Sequence, residues 1–107
     1  MNQLLIIKDL KKLLLSKFPD YLDKVILFGS QVTGNAREYS DYDILIILKT
    51  DYDWKLENKI LDVCYDIDLK YDILTDVKLI SNKELNTIKG KQPFILNAFE
   101  KGLVVWH

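Results

Sequence analysis

Five consecutive aliphatic residues, Ile44 to Leu48, follow two aspartates, Asp41 and Asp43, that stand two positions apart. Because side chains on a strand alternate between the two faces of a sheet, a run that is apolar at every position predicts a strand covered on both faces. The same alternation places Asp41 and Asp43 on one face, so this central strand begins with two adjacent carboxylates. Like charges held that close repel one another unless a cation lies between them.

A second apolar run, Val25 to Phe28, ends at the pair Gly29 and Ser30, and ten residues separate Ser30 from Asp41. The short, β-rich run predicts a buried strand. A Gly-Ser turn offers backbone N–H groups to an anion, and glycine lets the backbone approach a phosphate closely because it has no Cβ. The two motifs together predict a cation site beside an anion site, which suits a metal-bound phosphate.

Hydrophobic periodicity and capping signals predict alternating helices and strands along the chain. The predicted elements, in chain order, are helix 3–18, strand 24–28, strand 41–49, helix 54–70, strand 72–80, helix 93–101 and a segment at 103–106 that is either an edge strand or a packed tail. Asp53 is the predicted N-cap of the second helix, and Ser81 with Glu84 has the spacing of a capping box. The pattern predicts an α/β fold in one domain, residues 1–107, with a mixed sheet of three or four strands and helices mainly on one face.

The chain of 107 residues has a formal net charge of −1, which argues against a domain that grips extended nucleic acid through a basic face. Its single cysteine, Cys64, excludes an internal disulfide and suits a reducing compartment. No run approaches the roughly 20 apolar residues that span a bilayer, and the start of the chain lacks the pattern of a secretory signal. We therefore expect a cytoplasmic protein that does not contact a membrane.

The Gly-Ser pair at 29–30 and the Asp-Tyr-Asp triplet at 41–43, with their ten-residue spacing, resemble the signature of the nucleotidyltransferase superfamily related to DNA polymerase beta. Gly34 within the spacer and Ser40 before the first aspartate match that signature as well. The chain length is similar to that of the minimal nucleotidyltransferases, the MNT proteins. These often form the antitoxin half of a two-protein module whose other half is a HEPN ribonuclease.

The resemblance implies a nucleotidyltransferase-like fold and the transfer of a nucleoside monophosphate from ATP, or another nucleoside triphosphate, to an acceptor hydroxyl. It implies that Asp41 and Asp43 are catalytic residues that bind one or two Mg²⁺ ions, which prefer carboxylate and phosphate oxygens. It also implies that Gly29, Ser30 and Ser40 bind the nucleotide. The protein's task in such a reaction is to hold the triphosphate, neutralise its charge and align the acceptor with the α-phosphorus.

The family supplies a third catalytic, metal-binding carboxylate from a later strand, and the predicted strand 72–80 contains two candidates. Asp76 lies mid-strand and is our choice, with Asp72, four residues earlier on the same predicted face, as the alternative. Asp76 could equally be an exposed acid paired with Lys78. The family's usual local pattern would place the acid near Lys78, so this lysine is a departure that bears on the second metal site. Arg37, in the spacer, is a weaker candidate for a phosphate or partner contact.

The leading hypothesis is an enzyme that places AMP on a hydroxyl of a HEPN toxin and thereby acts as an antitoxin. One alternative is a binding module that neutralises its partner by covering it. Another is a transferase that modifies a small molecule, although antibiotic-modifying relatives generally carry a further domain for the acceptor. A bare catalytic domain leaves one wall of its cleft open, so a partner protein or a second copy of the chain could supply that wall.

Overall fold

The computed structural model describes residues 3–28, 42–87, 91–93, 95–96, 100 and 102–106. Its elements, in chain order, are α1 (Gln3–Lys17), β1 (Leu22–Phe28), β2 (Tyr42–Leu48), α2 (Trp54–Tyr71), β3 (Thr75–Ser81), α3 (Asn82–Leu85) and β4 (Leu103–Trp106). Residues 93, 95, 96 and 100, within the predicted helix 93–101, are also helical. The order of elements agrees with the sequence prediction, and the undecided segment at 103–106 is a strand.

The four strands form one mixed sheet in the order β3-β2-β1-β4. β1 pairs antiparallel with β2 and with β4, whereas β2 pairs in parallel with β3. A parallel pair needs a long crossover connection, and α2 provides it between β2 and β3. The aliphatic run of β2 therefore lies inside the sheet, as the sequence predicted.

The two faces of the sheet bury different side chains. On one face, the even-numbered residues of β2 from Ile44 to Leu48 pack with α1 and α2. On the other face, Leu45 and Ile47 pack with Ile80 of β3 in a smaller cluster. The two long helices thus cover one face of the sheet, which confirms the predicted arrangement.

α1 and α2 each bury one apolar stripe against the sheet. The buried side chains follow helical spacing: Ile6, Ile7, Leu10 and Leu14 in α1, and Ile60, Val63, Cys64 and Ile67 in α2. Burial, with a smaller effect from the nearby Asp68, raises the pKa of the Cys64 thiol to about 12, so this cysteine is a core side chain and not a reactive thiolate. Among the residues that the structure describes, no helix has both the length and the apolar character needed to cross a bilayer.

Both helix caps that the sequence predicts are present. The carboxylate of Asp53 accepts the backbone N–H of Leu56 at 2.9 Å. At the start of α3, the Ser81 hydroxyl accepts the N–H of Glu84 at 3.1 Å, and the Glu84 carboxylate accepts the N–H of Ser81 at 3.1 Å. These bonds satisfy N–H groups that a helix start leaves without intrahelical partners, and they fix where α2 and α3 begin.

The boundary between α2 and β3 differs from the prediction. The sequence predicts a strand over 72–80, but α2 continues to Tyr71 and β3 begins at Thr75. Asp72 ends the helix with a left-handed backbone (φ 54°, ψ 51°), and its N–H donates to the carbonyl of Asp68. This conformation closes the last turn of the helix, so the two residues that follow connect α2 to β3 and are not part of the strand.

Side chains bond the backbone of β3 near both of its ends. The Asp68 carboxylate accepts the N–H of Thr75 at 3.1 Å, and the Tyr52 hydroxyl donates to the carbonyl of Leu79 at 3.0 Å. Asp68 belongs to α2, and Tyr52 lies just before it. Because the two bonds act near opposite ends of β3, they fix the strand lengthwise relative to the crossover helix.

One polar cluster joins the two long helices. Asp9 of α1 accepts hydrogen bonds from the ammonium of Lys70 at 2.6 Å and from the hydroxyl of Tyr71 at 2.7 Å, both at the end of α2. These two bonds, the one from Lys70 first, lower the pKa of Asp9 below its ordinary value of 3.8. A carboxyl whose pKa is lowered by folding stabilises the protein above that ordinary value, and the stabilisation is lost as the pH falls through the folded-state pKa.

We expect Asp9→Asn to lower the free energy of unfolding at pH 7, because the amide offers no charge to the Lys70 ammonium. The deficit relative to the wild type should shrink as the pH falls below about 4, where the wild-type carboxyl becomes protonated. Urea denaturation at pH 7 and pH 3 measures both values, with the exposed Asp20→Asn as the control for loss of one surface charge. A deficit of equal size at both pH values would contradict this account.

Candidate active site

The structure describes part of the predicted site. Asp43 lies in β2 and Asp76 lies in β3. The other residues that the sequence singles out upstream lie outside the described residues: Gly29, Ser30, Gly34, Arg37, Ser40 and Asp41. The described part of the predicted site is thus the pair of carboxylates on the two parallel strands.

Asp43 and Asp76 are direct neighbours across the parallel β2–β3 pair, where each is the register partner of the other. Register partners on adjacent strands point to the same face, and the strands lie about 4.8 Å apart. Leu45 and Ile47 share this face with Ile80, in the cluster that lies away from α1 and α2. The sheet therefore brings the two carboxylates side by side on the face opposite the long helices.

Lys78 is a third charged residue on this face, because it follows Asp76 by two positions in the same strand. Its Nζ lies 3.4 Å from Oδ1 of Asp76, and the two side chains are 46% and 48% exposed. The sequence anticipated this pairing as the alternative to a catalytic role for Asp76. Asp76 forms this ion pair and is also the register partner of Asp43. The ion pair is therefore compatible with a place for Asp76 in the candidate site.

Asp72 lies elsewhere. It is the exposed residue that ends α2, three positions before β3 begins. The sequence placed Asp72 and Asp76 on one face of a single strand, and this placement is wrong for Asp72. In the observed register the first β3 residue, Thr75, lies opposite Tyr42, and Asp76 follows opposite Asp43.

We expect Asp72→Gly to raise the free energy of unfolding by about 0.5–1 kcal/mol, because glycine adopts a left-handed backbone without the Cβ clash that other residues incur. Urea denaturation measures the change. The matched control is Asp66→Gly, which places glycine inside the same helix and should lower stability. A loss of stability in Asp72→Gly would instead assign the Asp72 carboxylate a structural contact.

The pair formed by Asp43 and Asp76 supplies carboxylate oxygens, which are the ligands that Mg²⁺ prefers. Within the described ranges, no cluster of three or more histidine, cysteine or acidic side chains could hold a metal ion. A complete magnesium site on this pair therefore needs further oxygen ligands. Asp41 is the predicted source of one of them, and water and phosphate oxygens usually complete such sites.

A cleft of about 520 Å³ lies beyond the other end of β2 and β3, and the sequence did not predict it. Its lining includes Tyr52, Trp54, Glu57 and Lys83. Asp43 stands near the start of β2, a strand of seven residues, whereas this cleft lies past the strand's end, roughly 20 Å away at about 3.3 Å per residue. The cleft is therefore separate from the carboxylate pair.

One side of α2 exposes apolar side chains along most of its length. Trp54, Leu61, Tyr65 and Leu69 follow at helical spacing, and we call them the α2 apolar stripe. Trp54, Tyr65 and Leu69 are between 60% and 69% exposed. Leu61 and Tyr65 also line a groove of about 300 Å³ beside β3. Several large apolar side chains exposed along one surface are typical of a protein-binding surface.

Sequence comparison matches a family model described as "Nucleotidyltransferase domain" to residues 7–103 of the chain. Two proteins of Methanocaldococcus jannaschii, both provisionally named protein adenylyltransferase, are similar to it. One is 34% identical over 106 residues, which cover 99% of this chain and 100% of that protein. The other is 42% identical over 82 residues, which cover 77% of this chain and 82% of that protein.

Solved structures share the fold. A chain of a toxin-antitoxin crystal structure with AMP-PNP matches with a TM-score of 0.65 at 21% identity, covering 94% of this chain and 72% of that one. A chain of the complex of tri-AMPylated Shewanella oneidensis HEPN toxin with MNT antitoxin matches with a TM-score of 0.60 at 21% identity. The match covers 98% of this chain and 72% of that one. Spectinomycin adenyltransferase of Enterococcus faecialis, solved with ATP and spectinomycin, matches with a TM-score of 0.78 at 14% identity. The match covers 98% of this chain and 56% of that one. The observed architecture is thus the one that the sequence predicted.

Proposed function

The chain belongs to the nucleotidyltransferase domain family, and we propose that it is a Mg²⁺-dependent enzyme that transfers AMP from ATP to a hydroxyl of a partner protein. The observation that carries this proposal is the parallel register that sets Asp43 beside Asp76. We further propose that residues 1–107 act as one minimal domain in the cytoplasm, and that the partner is a HEPN toxin which the modification inactivates.

The proposed metal ligands are Asp43 and Asp76, joined by Asp41 from outside the described residues. Mg²⁺ bound there would neutralise phosphate charge and polarise the phosphoryl group under attack. The chain's own contribution is position: two strands of one sheet hold the carboxylates on a common face, which would orient a metal-bound triphosphate before the acceptor arrives. Gly29, Ser30 and Ser40 are the proposed nucleotide-binding residues.

A protein acceptor is favoured by two observations. The relatives that are 34% and 42% identical to this chain are provisionally named protein adenylyltransferases, and the α2 apolar stripe offers a surface on which another protein can bury apolar side chains.

Charge favours a partner of different sequence over a second copy of the chain. Residues 51–72, which contain the whole α2 apolar stripe, carry seven acidic side chains and three lysines, for a net charge of −4. Two copies packed through this stripe would bring like charges together, which opposes association. We therefore propose that the stripe binds a partner with an apolar helical face and a basic rim.

The proposed activity is tested by incubating the chain with α-labelled ATP, Mg²⁺ and the protein encoded by the neighbouring gene. We expect label on a hydroxyl side chain of the partner. Asp43→Asn should reduce the labelling rate by at least ~100-fold, since it removes a charged ligand of the ion that stabilises the transition state. Asp20→Asn, an exposed carboxylate that precedes β1 and lies outside residues 51–72, is the matched control and should keep the wild-type rate.

A cell-survival assay distinguishes neutralisation of the partner by AMP transfer from neutralisation by binding alone. If Asp43→Asn is folded by circular dichroism and still protects cells from the partner, binding alone neutralises the toxin and AMP transfer is not the antitoxin function. An absence of label with the wild-type chain, when partner binding is intact, would contradict the transferase assignment itself.

The α2 apolar stripe is tested by the double variant Tyr65→Ser, Leu69→Ser. We expect weaker binding to the partner by about ten-fold or more, because the variant removes two large apolar contacts at the proposed interface. Titration calorimetry measures the affinity. Leu5→Ser, which removes an exposed leucine of α1, is the control and should bind normally. Unchanged affinity in the double variant would place the interface elsewhere.

A further inference from the structure

Three strands align at the end of the sheet that carries the candidate active site. Asp76 of β3 is the register partner of Asp43 in β2, and Asp43 is also the register partner of Phe28, the last residue of β1. Neighbouring strands lie about 4.8 Å apart, so the three residues form one row with Asp76 and Phe28 roughly 10 Å apart at its ends. The carboxylate pair therefore has a β1 side and a β3 side.

The β1 side is the side of the proposed nucleotide-binding residues. Gly29 and Ser30 follow Phe28 directly in the sequence, so the chain enters this pair from the end of β1. A triphosphate bound by this pair and by a metal on the carboxylates would direct its terminal phosphates toward β1. In nucleotidyl transfer the attacking and leaving oxygens lie roughly in line on opposite sides of the phosphorus. The acceptor would therefore approach from the β3 side.

Leu74 lies on the β3 side, two residues before Asp76. Ile73 and Val77 pack against the cluster beneath α1 and α2, so Leu74 and Asp76, at the alternate positions, belong to the opposite face of the sheet. The carbonyl of Leu74 accepts the N–H of Tyr42 at 2.8 Å, which attaches its backbone to the start of β2. The side chain is nevertheless 63% exposed.

The position of Leu74 indicates what kind of group would cover it. A single exposed leucine is common on protein surfaces, but this one is adjacent to the carboxylate pair on the side from which the acceptor would come. Two residues along a strand span roughly 7 Å, so a group packed on Leu74 is within one side chain's length of Asp76. A polypeptide acceptor brings apolar side chains close to its hydroxyl, and an apolar side chain is the occupant that suits an exposed leucine.

We propose that Leu74 is an acceptor-binding residue, which packs against an apolar side chain of the partner's acceptor segment and so aligns the acceptor hydroxyl at the pair formed by Asp43 and Asp76. This inference rests on the proposed function and deepens it, because it assigns the side from which the acceptor approaches and a residue that positions it. It gives two surfaces different tasks: the α2 apolar stripe supplies affinity for the partner, and Leu74 orients the reacting group.

The inference is tested by measuring the rate of partner labelling against partner concentration, with the full chain, ATP and Mg²⁺. We expect Leu74→Ser to lower kcat by about ten-fold and to change KM for the partner by less than about three-fold, because a misaligned acceptor reacts slowly even when the partner is bound. Leu74→Met stays apolar and similar in size, so it should keep kcat within about three-fold of the wild type.

Titration calorimetry supplies a second readout that does not depend on activity. The Leu74→Ser variant should bind Mg²⁺ plus α,β-methylene ATP, an analogue that cannot transfer its AMP group, with the wild-type affinity. The matched control is Leu5→Ser, which removes a leucine that is 54% exposed from α1, on the other face of the sheet. This control should keep the wild-type kcat, KM and analogue affinity.

Three results would overturn the inference: a wild-type kcat in Leu74→Ser, a loss of analogue affinity in Leu74→Ser as large as its loss of kcat, or a kcat in Leu74→Met as low as that of Leu74→Ser. The first would leave Leu74 without a role in the reaction, the second would assign it to the nucleotide, and the third would exclude a simple apolar contact. A wild-type chain that binds the partner without labelling it would instead refute the proposed function, and the inference with it.

Discussion

The parallel pairing of β2 with β3 is the interaction on which the candidate site depends. Side chains alternate along a strand, so a slip of one residue in this register would move Asp76 to the face covered by α1 and α2. The observed register places it opposite Asp43. The crossover helix constrains that register, because Asp53 fixes where α2 begins and the left-handed Asp72 fixes where it ends. The position of the Asp76 carboxylate thus depends in part on where the preceding helix begins and ends.

Close packing of the apolar core restrains β2 and, with it, the backbone of Asp43. The five aliphatic residues of β2 are at most 1% exposed, and they pack on both faces of the sheet. A close-packed strand has little freedom to shift, because any movement would open voids on two sides. Asp43 immediately precedes this run, so its backbone is held by the best-packed element of the fold. A site built on such a strand can remain ordered while its charged side chains stay accessible to substrate.

The sequence was sufficient for the parts of the fold that depend on local pattern. The unbroken aliphatic run from Ile44 to Leu48 predicted the central strand, and the helical spacing of apolar residues predicted α1 and α2. The capping box at Ser81 was correctly predicted because its two hydrogen bonds involve residues only three positions apart. These features are local, so they require no knowledge of which elements pair.

The sequence did not resolve the choice between Asp72 and Asp76, because that choice depends on a single backbone conformation. The residues after Asp72 are apolar and have the composition of a strand. The left-handed turn at Asp72 nevertheless ends the helix and delays the strand to Thr75. Asparagine and glycine signal such a turn more clearly than aspartate does. The register opposite Asp43 is a long-range property, and neither hydrophobic pattern nor propensity specifies it.

The hydrogen bonds that join the Tyr52 hydroxyl and the Asp68 carboxylate to the backbone of β3 have a consequence for how the chain behaves at high concentration. An unprotected strand at the border of a sheet offers its peptide groups to other molecules, which is a common route to fibrous aggregates. Here two of those peptide groups, near opposite ends of β3, are already bonded within the chain. A strand from another molecule could not add along the full length of this border without displacing them, so the same bonds that position β3 also make its edge a poorer template for strand addition.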